Sequence, residues 1–301
     1  MECVTTSKSP IQVLKVAHAL GRRAFRQHWH KYAPKKFTVP QLFACLVLKE
    51  FLRLDYRKFS TLLEEAPGLV QAIGLSSVPH FTTFQKAAVR LLEARRAQRL
   101  LDHTVSMAQE AGLLGRRSKL AALDSTGLES TTASRYFVRH REKPGKNRIQ
   151  NTYRVFPKLV VVCDCASHLA LSVVHDQGPC ADTIHFRTAF DQARRRIALD
   201  TLLADAGYDS ESNHVYSRDE CGVRTLIPAR IGRPSGRRPK AKWRKVMASR
   251  LHLTRYGQRW QVETTISMLK RLLGSNLRAR TMAQQHREAS LKVLTLNVMI
   301  L

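Results

Sequence analysis

The order of apolar segments after residue 119 constrains the fold of this chain more than any other feature of its sequence. Apolar runs of strand length, KLAALDST and DTLLADAGYDS, alternate with amphipathic helical patterns. One of these patterns is DTIHFRTAFDQARRRIA, a helix that Asp182 is expected to cap. Between them, KLVVVCDCASHLALSVVHDQG holds two apolar runs around a short polar break, which predicts a β-hairpin. The resulting order of strand, hairpin, helix, strand, helix, strand and helix predicts an α/β domain with a mixed sheet flanked by helices.

Residues 1 to about 115 have a different pattern, with apolar residues three and four positions apart. This spacing predicts an all-α N-terminal region. Thr82 and Gln85 have the spacing of a capping box that would open a long helix. Together with the short helix before it, that helix could form a helix-turn-helix that reads DNA. Short helical pairs are also common in all-α cores, so both interpretations stay open.

The charge of the chain indicates a polyanionic partner. Lys and Arg number 51 against 23 for Asp and Glu, which gives a formal net charge of +28. Such a charge repels itself unless a polyanion is near, and nucleic acid is the polyanion that releases counterions on binding. A membrane surface is the weaker alternative, because no apolar run reaches the roughly 18–20 residues of a membrane span. We expect no signal peptide, since the N-terminus lacks a long apolar run.

Two basic, turn-rich stretches interrupt the α/β pattern, near residues 134–158 and 229–250. The second stretch contains Trp243 and no acid in ARIGRPSGRRPKAKWRKVMASR. A solvated surface explains many charge runs, but interleaved basic and aromatic residues favour a nucleic-acid channel. The candidate DNA-binding residues here are Arg237, Arg238, Lys240, Lys242, Arg244 and Lys245.

The cysteines show no metal-binding spacing, since none of the six forms a CxxC pair. We therefore expect reduced core residues of a cytoplasmic protein, and no zinc site, for Cys3, Cys45, Cys163, Cys165, Cys180 and Cys221.

The segment YGQRWQVETTISMLKRLLG has the pattern of an amphipathic helix with an unusual acid. On a helical wheel, Tyr256, Arg259, Glu263 and Lys270 fall within an arc of roughly 60° beside the apolar arc. A surface salt bridge more often lies opposite the core and contributes about 0–1 kcal/mol. An acid at the edge of the core, between cations, suits a cleft that holds an anion and a metal ion. Trp260 lies on another arc and is expected to pack in the core.

Two further acids at the ends of predicted apolar strands suggest that Glu263 shares a cation-binding site with them. Asp124 and Asp205 each end a predicted buried strand, and ligands gather at the carboxyl ends of strands in such sheets. Each Asp could instead cap a turn. If the two strands are parallel neighbours, however, three carboxylates converge, and like charges so close need a cation. Carboxylate oxygens suit Mg²⁺ or Mn²⁺, and a pair of such ions can activate a water or a 3′-hydroxyl.

These segments resemble those of bacterial insertion-sequence DDE transposases. The spacing Tyr256-x2-Arg259-x3-Glu263-x6-Lys270 is similar to the Tyr-Arg-Glu-Lys signature of that group. LAALDSTGL and LLADAGYDSE resemble the segments that carry its first and second catalytic Asp, and VPHFTTF is similar to the end of its helical N-terminal region. The resemblance runs from about residue 119 to the end of the chain.

The resemblance implies a ribonuclease H-like catalytic domain at residues 116–301, preceded by a helical DNA-binding or dimerisation region at residues 1–115. It implies that the catalytic, metal-binding residues are Asp124, Asp205 and Glu263, with Mg²⁺ or Mn²⁺ in a two-ion site. It further implies that Tyr256, Arg259 and Lys270 bind phosphates of the transposon end.

The expected function is metal-dependent cleavage of the insertion-sequence ends and joining of the 3′-hydroxyls to target DNA. The partners would be double-stranded DNA, in terminal inverted repeats and target, and a second copy of the chain. We expect a cytoplasmic, nucleoid-associated protein. The alternatives are a ribonuclease H-like nuclease that does not join DNA, and a domesticated or decayed copy that only binds DNA.

Overall fold

The structure is a computed structural model of the 301-residue chain. It describes residues 6–32, 35–130, 138–140, 152–230, 239–251 and 255–301. The candidate DNA-binding residues Arg237 and Arg238, most of the first basic stretch and Cys3 lie outside these residues. No helix in the described ranges is long and apolar enough to cross a bilayer.

The helices are α1 (Pro10–Ala24), α2 (Val39–Phe51), α3 (Tyr56–Glu65), α4 (Pro67–Ala72), α5 (Phe81–Leu91), α6 (Ala94–Glu110), α7 (Phe186–Arg196), α8 (Glu211–Val215), α9 (Lys242–Arg250), α10 (Trp260–Leu273) and α11 (Met282–Ile300). The strands are β1 (Arg117–Ser118), β2 (Ala121–Gly127), β3 (Glu129–Ser130), β4 (Val138–His140), β5 (Thr152–Arg154), β6 (Phe156–Asp164), β7 (Ala170–Gly178), β8 (Ala198–Leu199), β9 (Thr201–Ala204), β10 (Arg224–Leu226) and β11 (Asn276–Leu277).

A five-stranded mixed sheet forms the centre of the α/β region, in the order β10-β9-β2-β6-β7. Strands β10, β9 and β2 are parallel, whereas β2, β6 and β7 are antiparallel neighbours. The β6–β7 pair is the hairpin that the sequence predicts, and β9 is the second buried apolar strand. Strand β2, which precedes the hairpin in the sequence, pairs with β6 on one side and with β9 on the other. Strands β2 and β9 are therefore neighbours inside the sheet.

The N-terminal helices and the last helix share one hydrophobic cluster with the sheet, which extends from Val13 in α1 to Ile300 in α11. Helix α11 packs against α1, α2 and α6 on one side and against α10 and the hairpin strands on the other. The all-α N-terminal region is therefore present as predicted, and it is packed through α11 onto the α/β region.

A buried ion triad joins these two parts. Glu50 in α2 lies between Lys49, at 3.2 Å, and Lys292 in α11, at 2.8 Å. All three side chains are buried, and Lys292 also donates to the carbonyl of Leu273 at the end of α10. Burial alone would raise the pKa of Glu50, but the two ammonium groups hold it below its ordinary value. The triad therefore ties α2, α10 and α11 together.

Some local predictions were wrong in their details. The predicted long helix is two helices, α5 and α6, separated at Leu92 and Glu93. The side chain of His80 caps α5 by accepting from the N–H of Thr82, so Thr82 and Gln85 do not form the capping box. Residues Asp182–His185 form a 3-10 turn before α7, and Asp182 caps no helix.

The cysteine prediction holds only for part of the set. The cysteines at 45, 163 and 165 are free and buried, as expected of core residues. Cys180 and Cys221 are free but only half-buried, and both lie outside the helices and strands.

Candidate active site

The parallel pairing of β2 and β9 brings the two candidate aspartates to adjacent positions. Leu123 in β2 is in register with Ala204 in β9, and each is followed directly by an Asp. Asp124 does not end its strand, as the sequence suggested, because β2 continues to Gly127 against β6. Asp124 is instead the first residue of β2 beyond its pairing with β9, which ends at the pair Leu123 and Ala204. Asp205 caps a 3-10 turn and accepts from the N–H of Gly207 at 2.9 Å.

Glu263 reaches this edge from helix α10, which packs against β2 and β6. Its side chain is exposed in the first turn of the helix. The link to the aspartates is Arg259, whose guanidinium contacts Glu263 on one side and lies 3.6 Å from Asp124 on the other. The arginine therefore lies between two of the three acids and is their shared countercharge.

The electrostatics of Asp124 are those of a carboxylate that lacks sufficient countercharge. The pKa of Asp124 is raised from 3.8 to about 6: burial is the largest cause and the charges of Asp205 and Glu263 add to it, while the N–H of Ser125 and the charge of Arg259 lower it. A group that is close to half-protonated near pH 6 in the free protein becomes fully ionised when a cation binds beside it.

The three acids are chemically suitable ligands for a divalent ion, since all of them offer hard oxygen atoms at one edge of the sheet. Their ligand atoms are not gathered as tightly as in a preformed site. Among the described residues, the group of three such side chains with all ligand atoms within 4.8 Å is a different one, Asp176, Cys180 and His185. The guanidinium of Arg259 occupies part of the space between the acids, so an ion at the trio would displace it.

The Tyr-Arg-Glu-Lys residues do not all lie on one helix. Tyr256 and Arg259 belong to a 3-10 turn, Arg255–Arg259, and only Glu263 and Lys270 are in α10. The turn packs against β9. Tyr256 nevertheless lies near the acids: burial raises its pKa, and the charges of Asp205 and Asp124 raise it further. The predicted apolar face of α10 is largely buried, but Trp260 is 51% exposed and is not a core residue.

The described part of the second basic stretch forms α9 and the residues before it. Arg244 is held by Asp209, with 2.7 Å between its guanidinium and the carboxylate, so its charge is compensated within the protein. Lys242 lies 3.8 Å from Asp219, whose carboxylate also accepts from the indole N–H of Trp243 at 3.0 Å. The candidates that the structure describes, Lys240, Lys242, Arg244 and Lys245, thus lie on one short helix and its N-terminal approach.

One acid beside the trio was missed, because the sequence pattern offered a simpler role for it. Asp182 was expected to cap α7, but its carboxylate accepts from the hydroxyl of Ser125 at 2.6 Å and lies 2.7 Å from the ammonium of Lys158. Its second oxygen faces the turn of Asp205. A Cβ on Gly207 would lie 2.9 Å from Asp205 and 3.0 Å from Asp182, so only glycine allows this approach.

The phenol of Tyr208 also lies near Asp182. The side chain is fully buried, and burial followed by the charge of Asp182 raises its pKa. Asp182 therefore supports Ser125, which follows Asp124, and lies against Gly207 in the turn that Asp205 caps. No local motif in the sequence signals this, since the contact between Ser125 and Asp182 joins residues 57 positions apart.

Comparison with known proteins agrees with this architecture. The sequence matches the family described as Transposase DDE domain over residues 115–298. Among solved structures, the piggyBac transposase synaptic complex with hairpin DNA is similar with a TM-score of 0.51 and 8% identity, over 98% of this chain and 76% of that chain. The Mos1 mariner paired-end complex with Mn has 11% identity over 90% of this chain and 79% of that chain, with a TM-score of 0.24. No curated protein matches.

The first of these likenesses supports the fold, and the family match covers more than half of the chain. The mixed sheet, its flanking helices and the preceding helical region are the ribonuclease H-like arrangement that the sequence predicted. The chain belongs to the Transposase DDE domain family.

Proposed function

We propose that this transposase cleaves the phosphodiester bonds at the ends of its own insertion sequence and joins the freed 3′-hydroxyls to target DNA. The observation that carries the proposal is the register of β2 and β9, which makes Asp124 and Asp205 neighbours, with Glu263 connected to them through Arg259. Asp124, Asp205 and Glu263 would hold Mg²⁺ or Mn²⁺. When bound, a pair of such ions activates the attacking water or hydroxyl and stabilises the leaving oxygen.

The residues around the acids would position the DNA strand. Arg259 is bonded to carboxylates in the free protein, and its guanidinium becomes available to a phosphate when another cation neutralises them. Tyr256 and Lys270 are proposed to bind phosphates of the same strand. Burial raises the pKa of Tyr256, so its phenol stays protonated at neutral pH and suits hydrogen-bond donation rather than nucleophilic attack.

The large positive charge supports DNA as the partner, because 51 Lys and Arg residues face only 23 acids. Lys240, Lys242 and Lys245 on and before α9, together with Arg237 and Arg238, are proposed to contact the DNA backbone. Arg244 is the weakest of these candidates, since Asp209 already pairs with it. Cleaving and joining both ends of one element requires that they be held together, so we propose a homodimer on DNA.

A cleavage and strand-transfer assay on DNA that flanks the gene tests the proposal. Asp205→Asn keeps an oxygen that can accept from Gly207 but removes the charge. We expect it to abolish cleavage and to leave DNA binding equal or tighter, because one negative charge near the phosphates is lost. The matched control is Asp200→Asn, an exposed acid paired with Arg117, which should cleave normally.

The same assay separates the alternatives. Cleavage without joined product would indicate a nuclease of the same fold. Specific binding without cleavage in Mg²⁺ or Mn²⁺ would indicate a copy that only binds DNA. Cleavage by Asp205→Asn at the wild-type rate would contradict the site assignment.

A further inference from the structure

A second cluster of metal-binding side chains lies outside the candidate active site, between strand β7 and helix α7. Its members are Asp176 near the end of β7, Cys180 in the turn that follows, and His185 in the 3-10 turn before α7. The Oδ2 atom of Asp176 lies 3.1 Å from Nε2 of His185 and 3.4 Å from Sγ of Cys180. The third side of the triangle, Sγ to Nε2, is 3.4 Å.

These distances match those expected around one tetrahedral metal ion. Zinc binds nitrogen and oxygen ligands at about 2.0–2.2 Å and sulfur at about 2.3 Å, which places ligand atoms about 3.3–3.6 Å apart at tetrahedral angles. All three sides of the observed triangle are within a few tenths of an ångström of that range. Two hydrogen bonds would be enough to connect three such groups. The third short distance closes the triangle and favours a shared metal ion over hydrogen bonding alone.

Hydrogen bonds from neighbouring residues hold two of the ligands in place. The other oxygen of Asp176, Oδ1, accepts from the N–H of Gln177 at 2.7 Å, which directs Oδ2 into the triangle. The ammonium of Lys158 donates to the carbonyl of Cys180 at 2.8 Å and so fixes the turn that carries the thiol. The three ligands come from one ten-residue segment, which keeps the entropy of closing the site small.

The charge balance also permits a divalent ion. Lys158 contacts the cluster through the carbonyl of Cys180, but Asp182 lies 2.7 Å from its ammonium and neutralises its charge. A thiolate and a carboxylate together carry two negative charges, so a divalent ion with a neutral imidazole completes a neutral site. Binding releases the thiol proton of Cys180 to solvent.

We propose that Asp176, Cys180 and His185 form a zinc site with an open fourth position for water. A thiolate and an imidazole select zinc over the hard ions Mg²⁺ and Mn²⁺. The sequence pattern Asp-x3-Cys-x4-His lacks a paired-cysteine signature, which is why sequence analysis found no zinc site. The bound ion ties the end of β7 to the start of α7, in the segment that also carries Asp182.

Cobalt substitution tests the site on the full-length protein. Titration with Co²⁺ should produce a thiolate-to-cobalt absorption in the near ultraviolet, together with the visible bands of tetrahedral cobalt, and both should saturate at one equivalent. Zn²⁺ should remove these bands and excess Mg²⁺ should not. Zn²⁺ should also protect Cys180 from alkylation and leave Cys221 reactive.

Matched variants identify the ligands. Cys180→Ser should lose the ultraviolet band, whereas Cys221→Ser, at another half-buried free cysteine, should keep it. Asp176→Asn changes a half-exposed side chain and should fold normally, with cobalt binding weakened by at least about 100-fold, more than the loss of an outer-shell partner costs. Asp124→Asn should keep the band, since the site is separate from the catalytic trio. Absence of the band in the wild type, or its persistence in Cys180→Ser, would overturn the proposal.

Discussion

Asp124 should make the metal-free protein less stable as the pH rises, and Asp124→Asn should remove this effect. The pKa of Asp124 rises from 3.8 to about 6 because of burial and of the neighbouring acids. Since the folded protein holds this proton more tightly than the unfolded chain, ionisation opposes folding. This cost is absent below about pH 3.8 and complete above about pH 6. At about 1.4 kcal/mol per pH unit, it amounts to about 3 kcal/mol.

Asparagine has nearly the same shape as aspartate and no charge to ionise. In EDTA, the free energy of unfolding of Asp124→Asn should therefore lie within about 0.5 kcal/mol of that of the wild type near pH 4. It should exceed the wild-type value by about 3 kcal/mol at pH 7. The measurement is urea unfolding, followed by circular dichroism, at several pH values between these limits. Taking the difference between the two proteins removes the contribution of every other titrating group.

Two further measurements connect this destabilisation with the proposed catalytic site. Millimolar Mg²⁺ at pH 7 should raise the free energy of unfolding of the wild type more than that of Asp124→Asn, because an ion that binds only the folded state stabilises it. Asp200→Asn, at an exposed salt bridge, should differ from the wild type by no more than about 1 kcal/mol in the free energy of unfolding. A difference between Asp124→Asn and the wild type that does not change with pH would refute the reasoning.

Three other predictions concern the buried ion triad, Asp182 and the positive charge of the chain. Glu50→Gln leaves two buried ammonium groups without their carboxylate, and it should lower the free energy of unfolding by about 3–5 kcal/mol in urea unfolding. Glu110→Gln, at an exposed ion pair, should unfold close to the wild type. Asp182→Asn should slow cleavage while DNA binding in a gel-shift assay stays intact, since its contacts support residues beside the acids; an unchanged rate would contradict that role. DNA affinity should fall steeply with salt in fluorescence anisotropy, and a flat response would contradict backbone binding.

Much of the candidate active site could be predicted from local sequence. Asp124 and Asp205 follow apolar runs of strand length, and Glu263 lies beside the apolar face of an amphipathic segment. Such patterns depend on periodicity within a few residues, which the chain contains whatever its partners are. The hairpin, the helical N-terminal region and the mixed sheet were predicted on the same grounds.

The tertiary structure alone decided how these pieces meet. The pairing of β2 with β9 joins residues 81 positions apart and makes the two aspartates neighbours. Arg259 bridges Asp124 and Glu263 because a 3-10 turn, rather than the first turn of the helix, carries it to the sheet. Asp182 became a partner of Ser125 and Lys158 instead of a helix cap. The physical reason is that local periodicity determines which face of an element is buried, whereas side-chain partners depend on which distant element covers that face.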